Sequence, residues 1–153
     1  MFQGRLEVEL KKLRRSSGKL AVCYLDLDHF KEVNDSLGHH GGDQLLVQAA
    51  QRILACVRGS DTVARLGGDE FTVILTDIES ATSAERVAQA IVATLSQPFD
   101  LDGTPVQVSA SVGVAISPDH STESGPLLLQ ADQAMYAAKR AGRNGYRFSG
   151  AAT

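Results

Sequence analysis

A chain of 153 residues, 43% hydrophobic and 22% charged, has the size and balance of one folded domain around a single core. Its net charge of −3 argues against a basic face that would hold nucleic acid by its phosphates. It shows no apolar run long enough to span a bilayer and no signal peptide, so neither nucleic-acid nor membrane contact is expected of it.

Leu6, Leu10 and Leu13 recur at helical spacing and predict an opening amphipathic helix within residues 1–16. The run Leu20-Ala21-Val22-Cys23-Tyr24-Leu25 is continuously apolar, as expected of a strand covered on both faces, and it ends abruptly in Asp26-Leu27-Asp28. Carboxylates at the end of a buried strand are costly unless they are paired or bind a cation, and the sequence shows no basic partner for them. Phe30 to Leu37 reads as a short helix. Leu46, Ala50, Ile53 and Val57 form an apolar stripe on a longer one, with Cys56 on its apolar face. Cys23 and Cys56 therefore read as small hydrophobes rather than a disulfide, which suits a reducing cytoplasm.

Thr62-Val63-Ala64 and Phe71-Thr72-Val73-Ile74-Leu75 flank the run Arg65-Leu66-Gly67-Gly68-Asp69-Glu70. This predicts a β-hairpin with an acidic, glycine-rich tip, whose backbone can turn tightly and approach a phosphate closely. Ala84, Val87, Ala88, Ile91, Val92 and Leu95 mark a helix. Asp102-Gly103 marks a hairpin turn, and the series Val106, Val108, Ala110, Val112, Val114, Ile116 alternates with small or polar residues at the strand period. Leu127 or Leu128, Ala131, Met135 and Ala138 mark a last helix, with Lys139 and Arg140 in its final turn and Gly142 as its C-cap. Tyr146-Arg147-Phe148 closes the chain as a short strand, and residues 149–153 read as a linker stub. The order α-β-α-α-β-β-α-β-β-α-β predicts a single α+β domain, with helices packed on a mixed or antiparallel sheet.

The ordered motifs Asp26-Leu-Asp28-His-Phe30-Lys31-Glu-Val-Asn34-Asp35, Gly38-His39, Gly42-Asp43, Gly67-Gly68-Asp69-Glu70-Phe71, Ser111-Val-Gly113 and Ala131-Asp132 to Arg143-Asn144 resemble the GGDEF family, the diguanylate cyclases. The resemblance spans nearly the whole chain. It implies a ferredoxin-like βαββαβ core, similar to nucleotidyl cyclase and polymerase palm domains, with an extra β-hairpin. It also implies condensation of two GTP molecules into cyclic di-GMP, with Mg²⁺ or Mn²⁺, across a homodimer.

Asp26 at the strand end and Asp69 at the hairpin tip would lie side by side if their strands are neighbours, and carboxylates suit a hard cation such as Mg²⁺. The resemblance adds the Leu27 carbonyl as a metal ligand. It makes Glu70 essential, as a ligand or as the group that activates the 3′-hydroxyl; the choice of base between Asp69 and Glu70 stays open. Asn34 and Asp43 match the family positions that read guanine, an amide beside a carboxylate being able to complete its edge. Lys31, at a helix start, together with Lys139 and Arg143, matches the phosphate-binding positions; Phe30, Gly67 and Gly68 complete the substrate-binding set. His39 matches a structural position. His29 and His120 carry no specific signal, and the adjacent His39 and His40 lack further ligands at zinc spacing.

Five residues, Thr62 to Leu66, separate Arg58-Gly59-Ser60-Asp61 from Gly67, which puts it at the position of the family's product-inhibition site. The second arginine of that site, expected near Gln89 or Ala90, is missing; Arg86 is the only nearby candidate. The chain begins part-way into the region that precedes the family's first helix. This suggests a cytoplasmic domain from a longer signalling protein, one that could be membrane-anchored, with upstream sensory and dimerisation modules; Ser96-Gln-Pro-Phe and the stretch from Ser149 resemble cyclase domains followed by an EAL domain. Two other readings compete: a catalytically silent domain that binds GTP or cyclic di-GMP and regulates a tethered partner, and a polymerase-like palm. Small size, acidic balance and few aromatics disfavour the palm.

Overall fold

The computed structural model describes residues 2–150. Its elements are α1 (Phe2–Leu13), β1 (Lys19–Asp28), α2 (Phe30–Leu54), β2 (Thr62–Gly67), β3 (Glu70–Ile78), α3 (Ala81–Leu95), β4 (Phe99–Leu101), β5 (Thr104–Val106), β6 (Ser109–Ser117), α4 (Ser124–Arg140) and β7 (Gly145–Phe148). The main sheet runs β2-β3-β1-β6-β7. β1 is antiparallel to β3 and β6, β2 is antiparallel to β3, and β7 adds in parallel beside β6. The elements β1, α2, β2, β3, α3 and β6 make the βαββαβ core, and β4–β5 is the extra hairpin. Asp102 and Gly103 both have positive φ (54° and 86°), as a two-residue primed turn requires.

The sheet is covered on both faces. Ala21, Cys23, Leu25 and Leu27 of β1 face the cluster that holds Leu45, Ala49 and Ile53 of α2 and Ala84, Ala88, Ile91 and Leu95 of α3. Leu20 and Val22 face the opposite cluster, with Leu6 and Leu10 of α1 and Leu127 and Ala131 of α4. Period-two alternation thus directs Asp26, on the parity of Leu20 and Val22, to the side where α4 lies. The distance between α4 and the sheet is set at Gly113 of β6: a Cβ there would stand 2.0 Å from the Ala131 carbonyl oxygen and 2.2 Å from the Met135 nitrogen. No side chain larger than hydrogen lets the helix lie this close.

Three sequence expectations change. The series from Val106 to Ile116 is not one strand: it breaks at Gln107 and Val108, between the small hairpin and β6. Its alternation is not buried against exposed, because nearly all of β6 is buried. Val112, Val114 and Ile116 fill the α2/α3 side, while Ser111, Gly113 and Ala115 are small because α4 presses on them. The α2 stripe is shifted in part: Ile53 is fully buried as expected and Leu45 and Ala49 join it, whereas Leu46 and Ala50 are half-buried and Val57 lies beyond the helix. Gly38 (φ 75°, ψ 178°) interrupts the helix and resets its phase, so the two helices expected here are the two halves of α2. Cys56 likewise lies just past the end of α2, its thiol donating to the Arg52 carbonyl at 3.4 Å. Both cysteines are free, and burial pushes the Cys23 thiol up to about 12. Of the expected tail, Ser149 is tied back, its N–H donating to the Val114 oxygen at 2.7 Å; residues 151–153 lie outside the described residues.

Candidate active site

The site lies where β1 and the β2–β3 hairpin end together. Register pairs Asp26 with Glu70 on one side and with Ser111 on the other. The Leu27 N–H donates to the Asp69 carbonyl at 3.3 Å, which ties the acidic tip to the end of the central strand. Arg65 braces the turn from within, its guanidinium donating to the Gly68 carbonyl at 2.7 Å.

Asp26 is 6% exposed. One of its oxygens, Oδ2, accepts from Lys139 Nζ at 2.5 Å, so the strand-end acid does have a basic partner, brought from 113 residues away by α4. The other, Oδ1, is buried and has no hydrogen-bond partner. Burial pushes the Asp26 carboxyl up to about 6; the Lys139 hydrogen bond opposes that shift, and the neighbouring charges of Asp69 and Asp28 add to it. Burial lowers the Lys139 ammonium, but its bond and attraction to Asp26 outweigh this, so its net shift is upward.

Glu70 accepts a hydrogen bond from the Tyr24 hydroxyl at 3.2 Å. Desolvation, followed by the Glu70 charge, pushes the Tyr24 phenol up to about 12, so it stays a donor. Among the described residues, no group of three or more His, Cys, Asp or Glu side chains is arranged to hold a metal ion. The donors that fit a hard cation are the unpartnered Asp26 oxygen and the carboxylate of Asp69, which is close enough to be felt by Asp26.

Asp28, two residues on, is 2% exposed and well bonded. It accepts from Ser109 Oγ at 2.6 Å, Ser111 Oγ at 2.7 Å and the Asn144 N–H at 3.1 Å. It thereby fixes the turn after α4 that carries Arg143, whose Nε lies 4.0 Å from Asp28 Oδ1 and whose side chain is half-exposed. Gly142 (φ 120°) ends α4 as expected, with the Arg143 N–H returning to the Ala138 carbonyl.

Of the expected guanine readers, Asn34 packs against Gly42, the residue before Asp43. A Cβ on Gly42 would meet Asn34 Oδ1 at 2.2 Å and Phe30 Cζ at 3.4 Å, so Gly42 makes room for both side chains beside Asp43. Asn34 is half-buried, while Asp43 and Lys31 are exposed on α2.

The expected product site is a different place. Asp61 is 2% exposed at its side chain and accepts from the Arg58 N–H at 2.9 Å and the Thr76 N–H at 3.1 Å. The Arg58 guanidinium reaches Asp61 and the Thr76 carbonyl. Asp61 is therefore a cap committed to its own backbone, and only the 57%-exposed Arg58 is offered outward. Arg86 lines the same cleft as Arg58 and Asp61, whereas Gln89 donates to the Tyr146 hydroxyl.

Sequence reasoning missed Tyr24, Asp28 and Arg65 as supports, and the Lys139–Asp26 pair. Asp28 carried a signal, as the second acid at a buried strand end. Arg65 and Gly68 stand three residues apart in the hairpin, whereas Tyr24–Glu70 and Lys139–Asp26 join residues that only the sheet register and α4 bring together.

Sheet order, antiparallel pairing and an acidic hairpin tip beside the end of the central strand are those of a palm-like cyclase domain. Within that class the chain belongs to the GGDEF family: the family described as "Diguanylate cyclase, GGDEF domain" matches residues 1–145. It is 45% identical over 149 residues to the diguanylate cyclase TpbB of Pseudomonas aeruginosa, covering 97% of this chain and 34% of that protein. It is also 45% identical over 148 residues to the bifunctional diguanylate cyclase/cyclic di-GMP phosphodiesterase MucR of the same organism, covering 97% of this chain and 22% of that protein. The crystal structure of the TpbB (YfiN) GGDEF domain superposes with a TM-score of 0.95 at 44% identity, covering 99% of this chain and 94% of that one. The chain thus spans about a third or less of the length of these two relatives. Among the described residues, no helix is long and apolar enough to cross a membrane.

Proposed function

We propose that this chain is a diguanylate cyclase domain that condenses two GTP molecules into cyclic di-GMP and two pyrophosphates at a homodimer interface, with Mg²⁺ or Mn²⁺. The observation that carries the reading is the buried, unpartnered Asp26 Oδ1 beside Asp69: a desolvated carboxylate oxygen without a donor is costly unless a cation completes it. Asp26, Asp69, the Leu27 carbonyl and Glu70 would hold the ion. When bound, it neutralises charge on the triphosphate and the leaving pyrophosphate.

Asn34 and Asp43 hold the guanine edge, against the wall that Phe30 and Gly42 provide. Lys31, Lys139 and Arg143 hold the phosphates, and Gly67 and Gly68 let the hairpin backbone approach them. Asp69 or Glu70 takes the proton of the 3′-hydroxyl. That oxygen forms a bond to the α-phosphorus of the facing GTP as the bond to pyrophosphate breaks. Tyr24 holds Glu70, and Asp28 holds the Arg143 turn. One domain offers one tip and one guanine pocket, so two copies must face each other for two such transfers.

Cyclic di-GMP would inhibit at Arg58, with Asp61 shaping the backbone rather than meeting the ligand. A GTP substrate points to the cytoplasm, and the relative MucR, named as a bifunctional cyclase and cyclic di-GMP phosphodiesterase, supports the phosphodiesterase (EAL) neighbour expected from the sequence. The test is conversion of GTP to cyclic di-GMP with Mg²⁺, followed by chromatography across a dilution series. Specific activity should rise with protein concentration; no product at any concentration would overturn the reading. The silent, nucleotide-binding alternative draws on relatives of similar identity whose names give only phosphodiesterase activity, such as the cyclic di-GMP phosphodiesterase PdeR of Escherichia coli, 44% identical over 127 residues. It predicts GTP binding without product.

A further inference from the structure

The Lys139 ammonium and a divalent cation claim the same carboxylate. Nζ lies 2.5 Å from Asp26 Oδ2, while the other oxygen of that carboxylate is buried and unbonded. Lys139 stands in the last turn of α4, and α4 is held against β6 at Gly113, so the ammonium leaves Asp26 only by turning its own side chain. Asp69 and Asp28 add to the field that holds it there. A cation entering alone at Asp26 would meet this fixed positive charge in a poorly solvated place, where a like charge within a few ångströms is strongly unfavourable. A triphosphate changes the balance: its anionic oxygens offer the ammonium another partner, and Asp26 is freed for the ion.

We propose that Lys139 acts as a gate on Asp26, disfavouring a divalent cation alone and admitting it together with a nucleotide phosphate, so that metal and nucleotide bind with strong mutual coupling. This rests on the metal site proposed above and assigns that site an order of binding. Residues drawn to phosphate and nothing more would all behave alike on removal. A gate gives effects of opposite sign: loss of the ammonium should strengthen binding of the metal alone and weaken binding of the nucleotide.

The experiment is calorimetric titration of the chain with Mn²⁺ alone, and with Mn²⁺ plus a non-hydrolysable GTP analogue. The variants are Lys139→Met, Lys139→Gln, Lys139→Arg and Asp26→Asn, with circular dichroism confirming the fold of each. Removing a like charge at this range should strengthen binding of Mn²⁺ alone about tenfold in Lys139→Met and Lys139→Gln. Binding of the analogue should weaken in both, and Lys139→Arg should keep the parental weakness for the metal alone. The Mn²⁺-induced rise in melting temperature, measured without nucleotide, should likewise be larger in the two neutral variants. If affinity for Mn²⁺ alone is unchanged or lower in both, while Asp26→Asn still abolishes binding, the gate is overturned and the metal site stands. If Mn²⁺ binding is indifferent to Asp26 in every background, the metal site is overturned, and the gate with it.

Discussion

Two corners of this domain each join a basic side chain to an aspartate that is almost fully buried, and they differ in what is left over. At Arg58–Asp61 both carboxylate oxygens are engaged, by the backbone N–H groups of Arg58 and Thr76 and by the guanidinium. At Lys139–Asp26 one oxygen is paired and the other is buried with no donor. The first corner is complete as it stands and holds a loop in shape. The second is stable only at a cost that a bound cation would remove. A basic–acidic pair therefore marks a site for chemistry when its lone pairs are unfilled, not merely because it is charged.

The sharpest test of that contrast is removal of each aspartate. Asp26→Asn should lower cyclic di-GMP production on the order of 10²–10³-fold, a range typical of losing one charge-stabilising group at a reacting centre, with the circular dichroism spectrum retained. Wild-type turnover by that variant would break the comparison. Asp61→Ala should instead strip an acceptor from two backbone donors. It should cost about 1–3 kcal/mol of stability in urea unfolding and leave GTP turnover per folded molecule within a few-fold of the parent. Gly113→Ala should cost about 1–3 kcal/mol through overpacking against α4; it should also lower turnover, because α4 carries Lys139 over Asp26. Unfolding midpoints and turnover measured on the same sample check both effects. Arg58→Ala should cost about 1 kcal/mol or less in stability, the pair being exposed on its basic side, while weakening cyclic di-GMP binding in calorimetry.

The smallest effect is on pH dependence. The folded Asp26 titrates at about 6, against 3.8 as its ordinary value. Between those values the folded chain holds more protons than the unfolded chain, so this group's contribution to stability falls as pH rises. Asp26→Asn should flatten that slope. Mn²⁺ affinity of the parent should decline as pH drops through about 6, where proton and metal compete for the same oxygen. A decline centred near pH 4 would show that burial of Asp26 is not felt.

Much of the candidate site is readable from order along the chain. The proposed metal acids and phosphate-binding cations sit beside element boundaries that periodicity predicts, and the element types match the order read from the sequence except for the break that separates β5 from β6. Leu45 and Leu46 are equally apolar, so the sequence does not say which faces inward; packing on the sheet buries Leu45 fully and Leu46 in part. The small residues of β6 leave open what lies against them, because serine, glycine and alanine look the same whether water or a helix covers that face.

By itself, then, the sequence determined the α+β class, the acidic tip, the buried strand ending in carboxylates and the family, since these rest on local periodicity and on motifs a few residues long. Only the tertiary structure decided which charges meet. Lys139 reaches Asp26, Tyr24 reaches Glu70 and Ser109 and Ser111 close on Asp28, through separations of 113, 46, 81 and 83 residues. Such pairings depend on strand register and on how closely a helix lies against a sheet, and no local pattern in a chain encodes either.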